Sequence, residues 1–236
     1  MSAGREGWPS TRAVFFDVDF TLIYPGPRFQ GEGYARFCAE QGVEVDAGKF
    51  DQAVAAASFI LDEVEDPIYD ASLFVHYTAS IIEHMGGRGA NVISIAERVY
   101  EQWATNHHFE MYDDVEPVLN ELVGRGLTLG VISNSHRSLE TFKAHFKLDT
   151  LITTAVSSAE HGFMKPHPSI FERALDQAGV PAAEAMMIGD SLRADIEGAV
   201  ALGMRGLLLR RSGDIPKNLP AGVTVITSLH DLLPLV

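Results

Sequence analysis

Two aspartates one residue apart, Asp17 and Asp19, end an apolar run that begins at Ala13. A strand that is buried on both faces reads as a continuous run of apolar residues, and a carboxylate at its end needs a partner, a metal ion or an exposed cleft. In an open α/β sheet, ligands bind in the crevice beyond the carboxyl ends of the strands. The position of this pair therefore indicates chemistry rather than packing.

Further polar residues follow later apolar runs of the chain. They are Ser133 with Asn134, then Lys165, and then Asp190 with Asp195. If the strands are parallel and adjacent, all of these residues meet the aspartate pair at one edge of the sheet. Such a set suits phosphoryl transfer, because one carboxylate can attack phosphorus, a second can move a proton, and a metal ion and an amine can offset phosphate charge. A site of oxygen ligands favours Mg²⁺ over zinc.

The order of these motifs resembles that of the haloacid dehalogenase-like hydrolases. The motifs are Asp17-Val18-Asp19-Phe20-Thr21, Ser133-Asn134, Lys165 before a proline, and Gly189-Asp190 with Asp195. The resemblance covers about residues 11–22 and 113–227, and the helical stretch between the first two motifs resembles the C1 cap of the phosphoglycolate phosphatase-like branch. One departure is Phe20, which stands where the family often has glycine.

The resemblance implies a role for each catalytic and phosphate-binding residue. Asp17 would be the nucleophile that becomes an aspartyl phosphate, and Asp19 would be the general acid and base. Ser133 would hold the transferring phosphoryl group, with Asn134 contributing through its backbone amide or its side chain. Lys165 would neutralise the phosphate and orient Asp17.

The resemblance also implies a metal site. Mg²⁺ would be held by Asp17, Asp190 and the main-chain carbonyl of Asp19. Asp195 would contribute through a water molecule or by supporting Lys165, and Thr21 would help to fix the loop after the first strand.

Two kinds of element must position these residues. From Asp113 onward, short apolar strands predicted at residues 127–132, 151–156, 185–188, 206–209 and 223–226 alternate with helices. This alternation predicts a Rossmann-like, mostly parallel sheet with helices on both faces. Before Asp113, helical periodicity predicts four helices at 32–41, 47–64, 71–85 and 92–106. We therefore expect an α/β core of residues 1–22 and 113–236 and an α-helical insert of residues 23–112, which the resemblance implies is a C1 cap domain.

Composition limits the classes of partner. The 236 residues carry a net charge of −14, which argues against a nucleic-acid-binding surface but allows a small phosphorylated ligand. No apolar stretch reaches membrane-spanning length, and the N-terminus is polar, so no membrane association is expected. Cys38, the single cysteine, fits a reducing compartment. The sequence therefore predicts a cytoplasmic protein and leaves the oligomeric state open.

The leading prediction is a Mg²⁺-dependent phosphatase that acts on a small phosphorylated metabolite through an aspartyl phosphate. A sugar-phosphate mutase shares all four motifs, so the sequence does not separate the two. A haloacid dehalogenase needs no metal and generally lacks the second aspartate, so Asp19 argues against it. A phosphonatase would need a reactive cap lysine, and nothing around Lys49, the only lysine between Tyr24 and Tyr112, suggests one. A non-enzymatic phosphoacceptor module is the remaining alternative, disfavoured by the large insert and Asp19.

Overall fold

The chain divides into two compact units. The structure, a computed structural model, describes residues 10–62, 67–211, 219–220 and 223–236. One unit, the core unit, consists of Met1–Tyr24 and Met111–Val236, and the other, the helical unit, is Pro25–Glu110. The sequence predicts an insert at residues 23–112, and the helical unit occupies Pro25–Glu110 of that range. That this unit acts as a cap domain stays a prediction.

The sheet of the core unit confirms the predicted α/β class. The strands of the described residues are β1 (Ala13–Phe16), β2 (Ile23–Pro25), β3 (Phe109–Met111), β4 (Thr128–Ser133), β5 (Ile152–Ser157), β6 (Ala185–Gly189), β7 (Arg205–Leu209) and β8 (Thr224–Ile226). Six of them form one parallel sheet in the order β5-β4-β1-β6-β7-β8. The strand order reverses between β1 and β6, and such a switch point is where open α/β sheets bind ligands.

The remaining two strands, β2 and β3, form a separate two-stranded sheet. They lie where the chain leaves and re-enters the core unit. The strands that the sequence predicts after Asp113 agree with β4 to β8 within one residue at each end. Short apolar runs bounded by polar residues therefore suffice to locate the buried strands of this sheet.

Helices make up most of the helical unit, and in the core unit they alternate with the strands along the chain. Those of the helical unit are α1 (Gly31–Ala39), α2 (Phe50–Ala57), α3 (Phe59–Asp62), α4 (Ala71–His84) and α5 (Val92–Trp103). Those of the core unit are α6 (Val115–Gly124), α7 (Leu139–Phe146), α8 (Ser158–His161), α9 (Pro168–Ala178) and α10 (Gly198–Ala201), with a π-helical turn at Leu192–Glu197 and a 3-10 helix at Leu229–Leu235. No helix of the described ranges is long and apolar enough to span a membrane.

Two predicted helices differ from the structure. The helix predicted at 47–64 is a 3-10 turn at Ala47–Lys49 followed by α2 and α3, and its last two residues lie outside the described residues. The Asp46 side chain accepts a hydrogen bond from the Gly48 backbone, and the Ser58 hydroxyl, between α2 and α3, donates to the Ala55 carbonyl. Such local bonds compete with a continuous helix. Among the helices that the sequence predicts between the strands, the one after β6 begins as the π-helical turn instead of an α-helix.

The core of the α/β unit centres on β1, whose four residues are all fully buried. Phe15 packs with Ile132 of β4, Met187 of β6 and Phe171 of α9 in one apolar cluster. Phe15 lies opposite Gly130 of β4, where an added Cβ would come 2.6 Å from the phenyl ring. The glycine makes room for the ring, so the two strands carry their polar ends in a fixed register.

Candidate active site

A buried amine lies between two carboxylates at the carboxyl edge of the sheet. Asp17 follows β1, and its backbone N–H donates to the Ile188 carbonyl of β6 at 2.9 Å. The Nζ of Lys165, a residue only 4% exposed, donates to Oδ1 of Asp17 at 2.6 Å and to the carbonyl of Ile132 in β4 at 2.7 Å. The same Nζ lies 2.7 Å from Oδ1 of Asp195. Residues that are 148 positions apart in sequence therefore form one ion-paired group.

Lys165 is held in place by the residue after β4. The Asn134 side chain donates through Nδ2 to the carbonyl of Lys165 at 2.9 Å and accepts the Lys165 backbone N–H through Oδ1 at 2.7 Å. The two bonds engage both ends of the amide, so this side chain positions the lysine. The predicted contribution of Asn134 to phosphate binding, through its backbone amide or its side chain, stays a prediction. Ser133, the last residue of β4, is 1% exposed and lies at the same edge.

Asp195 reaches Lys165 because of the turn that follows β6. Its Oδ2 accepts the backbone N–H of Ser191 at 3.0 Å, and the Ser191 hydroxyl in turn accepts the N–H of Ala194 at 3.1 Å. An added Cβ at Gly189 would lie 2.1 Å from Oδ2 of Asp195, so only glycine allows this approach. The 2.7 Å contact with Lys165 is compatible with the supporting role that the resemblance implies for Asp195, and that role stays a prediction.

Three carboxylates form a candidate metal centre. Oxygens of Asp17, Asp190 and Asp195 all lie within 4.8 Å of one another. Burial raises the pKa of Asp17, with Lys165 opposing the rise and the charges of the other two carboxylates adding to it. Burial, followed by the charge of Asp195, raises the pKa of Asp190 to about 7. One ammonium group does not balance three carboxylates, and the hard oxygen donors suit a divalent cation such as Mg²⁺.

The lysine keeps its charge in this site. Burial alone would lower the pKa of Lys165, but the charges of Asp17 and Asp195, together with the hydrogen bonds to them, raise it above its ordinary value. The amine is therefore a permanent cation at the sheet edge. It is placed to offset negative charge that arrives at Asp17.

Asp19 has a different partner. Its Oδ1 accepts a hydrogen bond from Arg137 Nη1 at 2.8 Å. The Arg137 side chain is 0% exposed, whereas that of Asp19 is 17% exposed. Arg137 lies in the polar stretch directly after β4, where no motif in the sequence marks it. A buried arginine is rare unless it is paired, so its pairing with a motif carboxylate marks a residue of the site.

The loop between the two aspartates and β2 is tightly turned. The backbone N–H groups of Thr21, Leu22 and Ile23 all point to the carbonyl of Val18, at 3.4, 2.9 and 3.1 Å. Phe20 adopts a φ of +62°, a conformation that glycine accepts at lower cost than phenylalanine. Thr21 is fully buried, and its predicted role in fixing this loop stays a prediction.

Comparisons with known proteins agree with the motifs. The family described as haloacid dehalogenase-like hydrolase matches residues 70–208. The haloacid dehalogenase-like hydrolase domain-containing protein 3 of Mus musculus is 32% identical over 234 residues, which covers 94% of this chain and 92% of that protein. The N-acylneuraminate-9-phosphatase of Mus musculus is 28% identical over 225 residues, covering 89% of this chain and 87% of that protein.

A solved structure shows the same relationship in three dimensions. The 2-haloacid dehalogenase from Pseudomonas syringae pv. Tomato DC3000 superimposes with a TM-score of 0.63 at 26% identity, covering 95% of this chain and 97% of that chain. The same family is indicated by the sheet order, by the four ordered motifs at its carboxyl edge and by these relatives. The chain belongs to the haloacid dehalogenase-like hydrolases.

Proposed function

We propose that this hydrolase is a Mg²⁺-dependent phosphatase that cleaves the phosphomonoester of a small metabolite through an aspartyl phosphate on Asp17. The observation that carries the proposal is the buried Lys165, bonded to Asp17 and Asp195 beside the Asp190 carboxylate. This arrangement supplies a carboxylate nucleophile together with groups that offset phosphate charge. A 28% identical relative that is named a phosphatase gives independent support.

In the first step, a carboxylate oxygen of Asp17 attacks phosphorus and forms a new P–O bond. The bond from phosphorus to the ester oxygen breaks, its electron pair stays with that oxygen, and the oxygen takes a proton from Asp19. Lys165 keeps the Asp17 carboxylate oriented during the attack, since its Nζ is bonded to Oδ1. The product of this step is the alcohol and an aspartyl phosphate.

In the second step, a water molecule attacks the phosphorus of the aspartyl phosphate. The water gives a proton to the carboxylate of Asp19, and the bond between phosphorus and the Asp17 oxygen breaks. Inorganic phosphate leaves, and both aspartates return to their starting protonation states. Asp19 therefore serves first as the general acid and then as the general base.

Asp17, Asp190 and the main-chain carbonyl of Asp19 would hold Mg²⁺, which would offset the negative charge of the carboxylates and of the phosphoryl oxygens. Ser133 and the Asn134 backbone amide would bind the transferring phosphoryl oxygens, with Lys165 adding its charge. These roles follow the family pattern and agree with the position of the residues at one edge of the sheet.

Phosphate release from p-nitrophenyl phosphate tests the proposal. We expect turnover that requires Mg²⁺ and that falls by about 10³-fold or more in Asp17→Asn, because the nucleophile is lost. Asp149→Asn, an exposed aspartate of the same unit, is the matched control and should keep full activity. A stable aspartyl phosphate without turnover would instead identify a phosphoacceptor module. A screen of phosphorylated metabolites that includes N-acylneuraminate 9-phosphate then addresses the substrate.

Two alternative activities would give products other than free phosphate. A dehalogenase is favoured by the 26% identical structural relative of that name, and it would release chloride from 2-chloropropionate without a metal ion. A sugar-phosphate mutase would move the phosphoryl group between two positions of a sugar phosphate instead of releasing it to water. Chloride release, or isomerised sugar phosphate without free phosphate, would replace the phosphatase assignment.

A further inference from the structure

We propose that Arg137 is a positioning residue that orients the Asp19 carboxylate for proton exchange with the leaving oxygen. This inference rests on the proposed phosphatase function and adds a residue to it. Its basis is the 2.8 Å hydrogen bond from Nη1 of Arg137 to Oδ1 of Asp19. Because that bond uses Oδ1, we assign the exchanged proton to Oδ2 of Asp19.

Arg137 and Asp19 differ in burial, and this difference indicates that Arg137 positions Asp19 and that Asp19 exchanges the proton. The Arg137 side chain is fully buried, while the Asp19 side chain keeps part of its surface exposed. Burial of a guanidinium costs free energy unless a carboxylate offsets its charge. Loss of the contact with Asp19 would therefore destabilise the folded state. Nη1 of the Arg137 guanidinium already donates to Asp19, so this group is directed at the carboxylate. The arrangement therefore fits a group that acts through Asp19 and not on the substrate itself.

The backbone around Arg137 is itself held. Its N–H donates to the hydroxyl of Ser135 at 2.9 Å, and the next residue, Ser138, caps α7 through its side chain, which accepts the N–H of Thr141. At the start of the same stretch, Asn134 bonds both backbone groups of Lys165. The segment of residues 133–138 thus fixes the partner of Asp17 at one end and the partner of Asp19 at the other.

The orientation of the Asp19 carboxylate depends on a partner such as Arg137. Asp19 precedes Phe20, whose positive φ places the two residues in a tight turn, and the direction of its carboxylate depends on two side-chain torsions that the backbone does not fix. A hydrogen bond from a planar guanidinium restricts that rotation. Misplacing a catalytic group by about 1 Å costs up to about 10²-fold in rate, so the loss of Arg137 should be measurable.

Leaving-group dependence tests this role. A p-nitrophenolate ion departs without a proton, whereas the phenolate of phenyl phosphate gains more from a general acid. We therefore expect Arg137→Gln to lower kcat/KM with Mg²⁺ about 10- to 100-fold for phenyl phosphate and less than about threefold for p-nitrophenyl phosphate. Because kcat/KM reports the enzyme up to its first irreversible step, the comparison isolates transfer of the phosphoryl group to Asp17. Arg137→Lys, which keeps a charged donor, should recover part of the loss.

A double-mutant cycle separates positioning from a general effect on the fold. In an Asp19→Asn background, Arg137→Gln should change kcat/KM for phenyl phosphate by less than about threefold, since the group that it orients is absent. Arg12→Gln, which breaks an exposed 2.8 Å pair with Glu184, is the matched control and should leave both rates unchanged. If Arg137→Gln fails to fold, the same comparison is made with Arg137→Lys.

Three results would overturn the inference. They are an equal loss with both substrates, an unchanged or higher rate with phenyl phosphate, and an undiminished effect of the substitution in the Asp19→Asn background. Each of these is read against active wild-type enzyme. Absence of phosphate release by the wild-type protein with either substrate contradicts the proposed function itself, so the two failures are distinguishable.

Discussion

Gly189 determines how closely the Asp195 carboxylate can approach the end of β6. The position has no positive φ that would require glycine, and the constraint is purely one of space, because an added Cβ would meet three atoms of Asp195 at 2.1, 2.3 and 2.6 Å. Asp195 is also one of the two carboxylates bonded to Lys165. A methyl group at this position would therefore act on the lysine without touching it.

Gly189→Ala should lower phosphatase activity at least about tenfold and the free energy of unfolding by about 1–3 kcal/mol, as overpacking does in a buried site. The measurements are kcat/KM with p-nitrophenyl phosphate and a urea unfolding curve. Gly124→Ala is the matched control, because an added Cβ there meets no atom within 4 Å and the residue ends helix α6. Equal behaviour of the two variants would show that the close approach to Asp195 is unimportant.

Residue types alone point to the carboxylates and the lysine as candidates, because polar groups after apolar runs are visible in the sequence. The same grounds give no separate role to Arg137 or Gly189. Arg137 stands in a stretch of polar residues with no periodicity, and its burial appears only when its partner Asp19, 118 positions away, is placed beside it. The role of Gly189 depends on a side chain six residues later that folds back over it.

At the scale of elements, α7 and α9 end in the same left-handed conformation with different residues. Lys147 closes α7 with φ +59°, and Gly179 closes α9 with φ +65°. A left-handed conformation costs a residue with a Cβ about 1 kcal/mol more than it costs glycine. The backbone at Lys147 is therefore strained at the end of α7, and a glycine there would relieve the strain, whereas α9 already ends in glycine.

Lys147→Gly should raise the free energy of unfolding by about 0.5–1 kcal/mol, and Gly179→Ala should lower it by about 1 kcal/mol. For a chain of this size these changes correspond to shifts in Tm of about 2–4 °C per kcal/mol, in opposite directions, and thermal unfolding followed by circular dichroism measures them. Shifts of the same sign would mean that the contacts of the two side chains outweigh the backbone conformation.

Asp114 joins three segments of the core unit. Its carboxylate accepts two hydrogen bonds from Arg211, which follows β7, and one each from the Ser228 hydroxyl and the Leu229 backbone at the start of the last helix. Burial alone would raise the pKa of Asp114, but these hydrogen bonds outweigh it and hold the pKa below its ordinary value. The charged form is therefore the one that the folded state prefers.

Asp114→Asn should lower the free energy of unfolding by about 2–3 kcal/mol at pH 7, because a buried pair loses one charge. The pKa is depressed in the folded state, so the contribution is complete above the unfolded value of about 4 and disappears as the pH falls through the folded value. Urea unfolding at a series of pH values should show the two proteins converging below about pH 4. Glu184→Gln, in the exposed pair with Arg12, should cost less than about 1 kcal/mol.

Elements with a strong apolar pattern were predictable, and those shaped by polar contacts were not. The five later strands of the sheet are short and mainly apolar, although β5 contains Thr153 and Thr154, and such segments are typical of buried strands. The break between α2 and α3 falls at Ser58, within a stretch that contains neither glycine nor proline before residue 67, so the sequence carries no ordinary stop signal there. The π-helical turn after β6 likewise contains polar contacts that the sequence pattern does not show, a local bond from Ser191 to Asp195 and the pairing of Asp195 with Lys165.

On the scale of the whole molecule, the chain is acidic and concentrates part of that charge in one place. The net charge is −14, and three carboxylates meet at the edge of the sheet. Because Lys165 offsets only part of this charge, bringing the three carboxylates together raises the free energy of the folded state. A ligand that binds only the folded state and relieves this repulsion stabilises the protein by mass action.

MgCl₂ at ten times its dissociation constant should stabilise the protein by about 1.4 kcal/mol, which corresponds to a rise in Tm of about 3–6 °C. Thermal unfolding at constant ionic strength, balanced with NaCl, measures the rise without reference to activity. Asp190→Asn should abolish most of it, while the exposed control Asp149→Asn should keep it. A rise of equal size in both variants would indicate general screening of the acidic surface.

The alternation of strands and helices predicted the class of the sheet but not its order. Which side of β1 each later strand takes is determined by packing between elements distant in sequence, and the switch between β1 and β6 follows from that packing. The site lies at this switch, so the predicted motifs share one edge only because β4 and β6 flank β1.

Asn134 also bears on the chemical ageing of the protein. An asparagine followed by serine is prone to deamidation, in which the next backbone nitrogen attacks the side-chain carbonyl carbon. Here both ends of the amide are bonded to Lys165, so the group cannot easily turn toward the Ser135 nitrogen. Conversion to aspartate would replace the Nδ2 donor by an acceptor that faces the Lys165 carbonyl. The hydrogen bonds that orient the lysine should thus also slow the deamidation of Asn134, and with it the loss of activity, during storage of the protein.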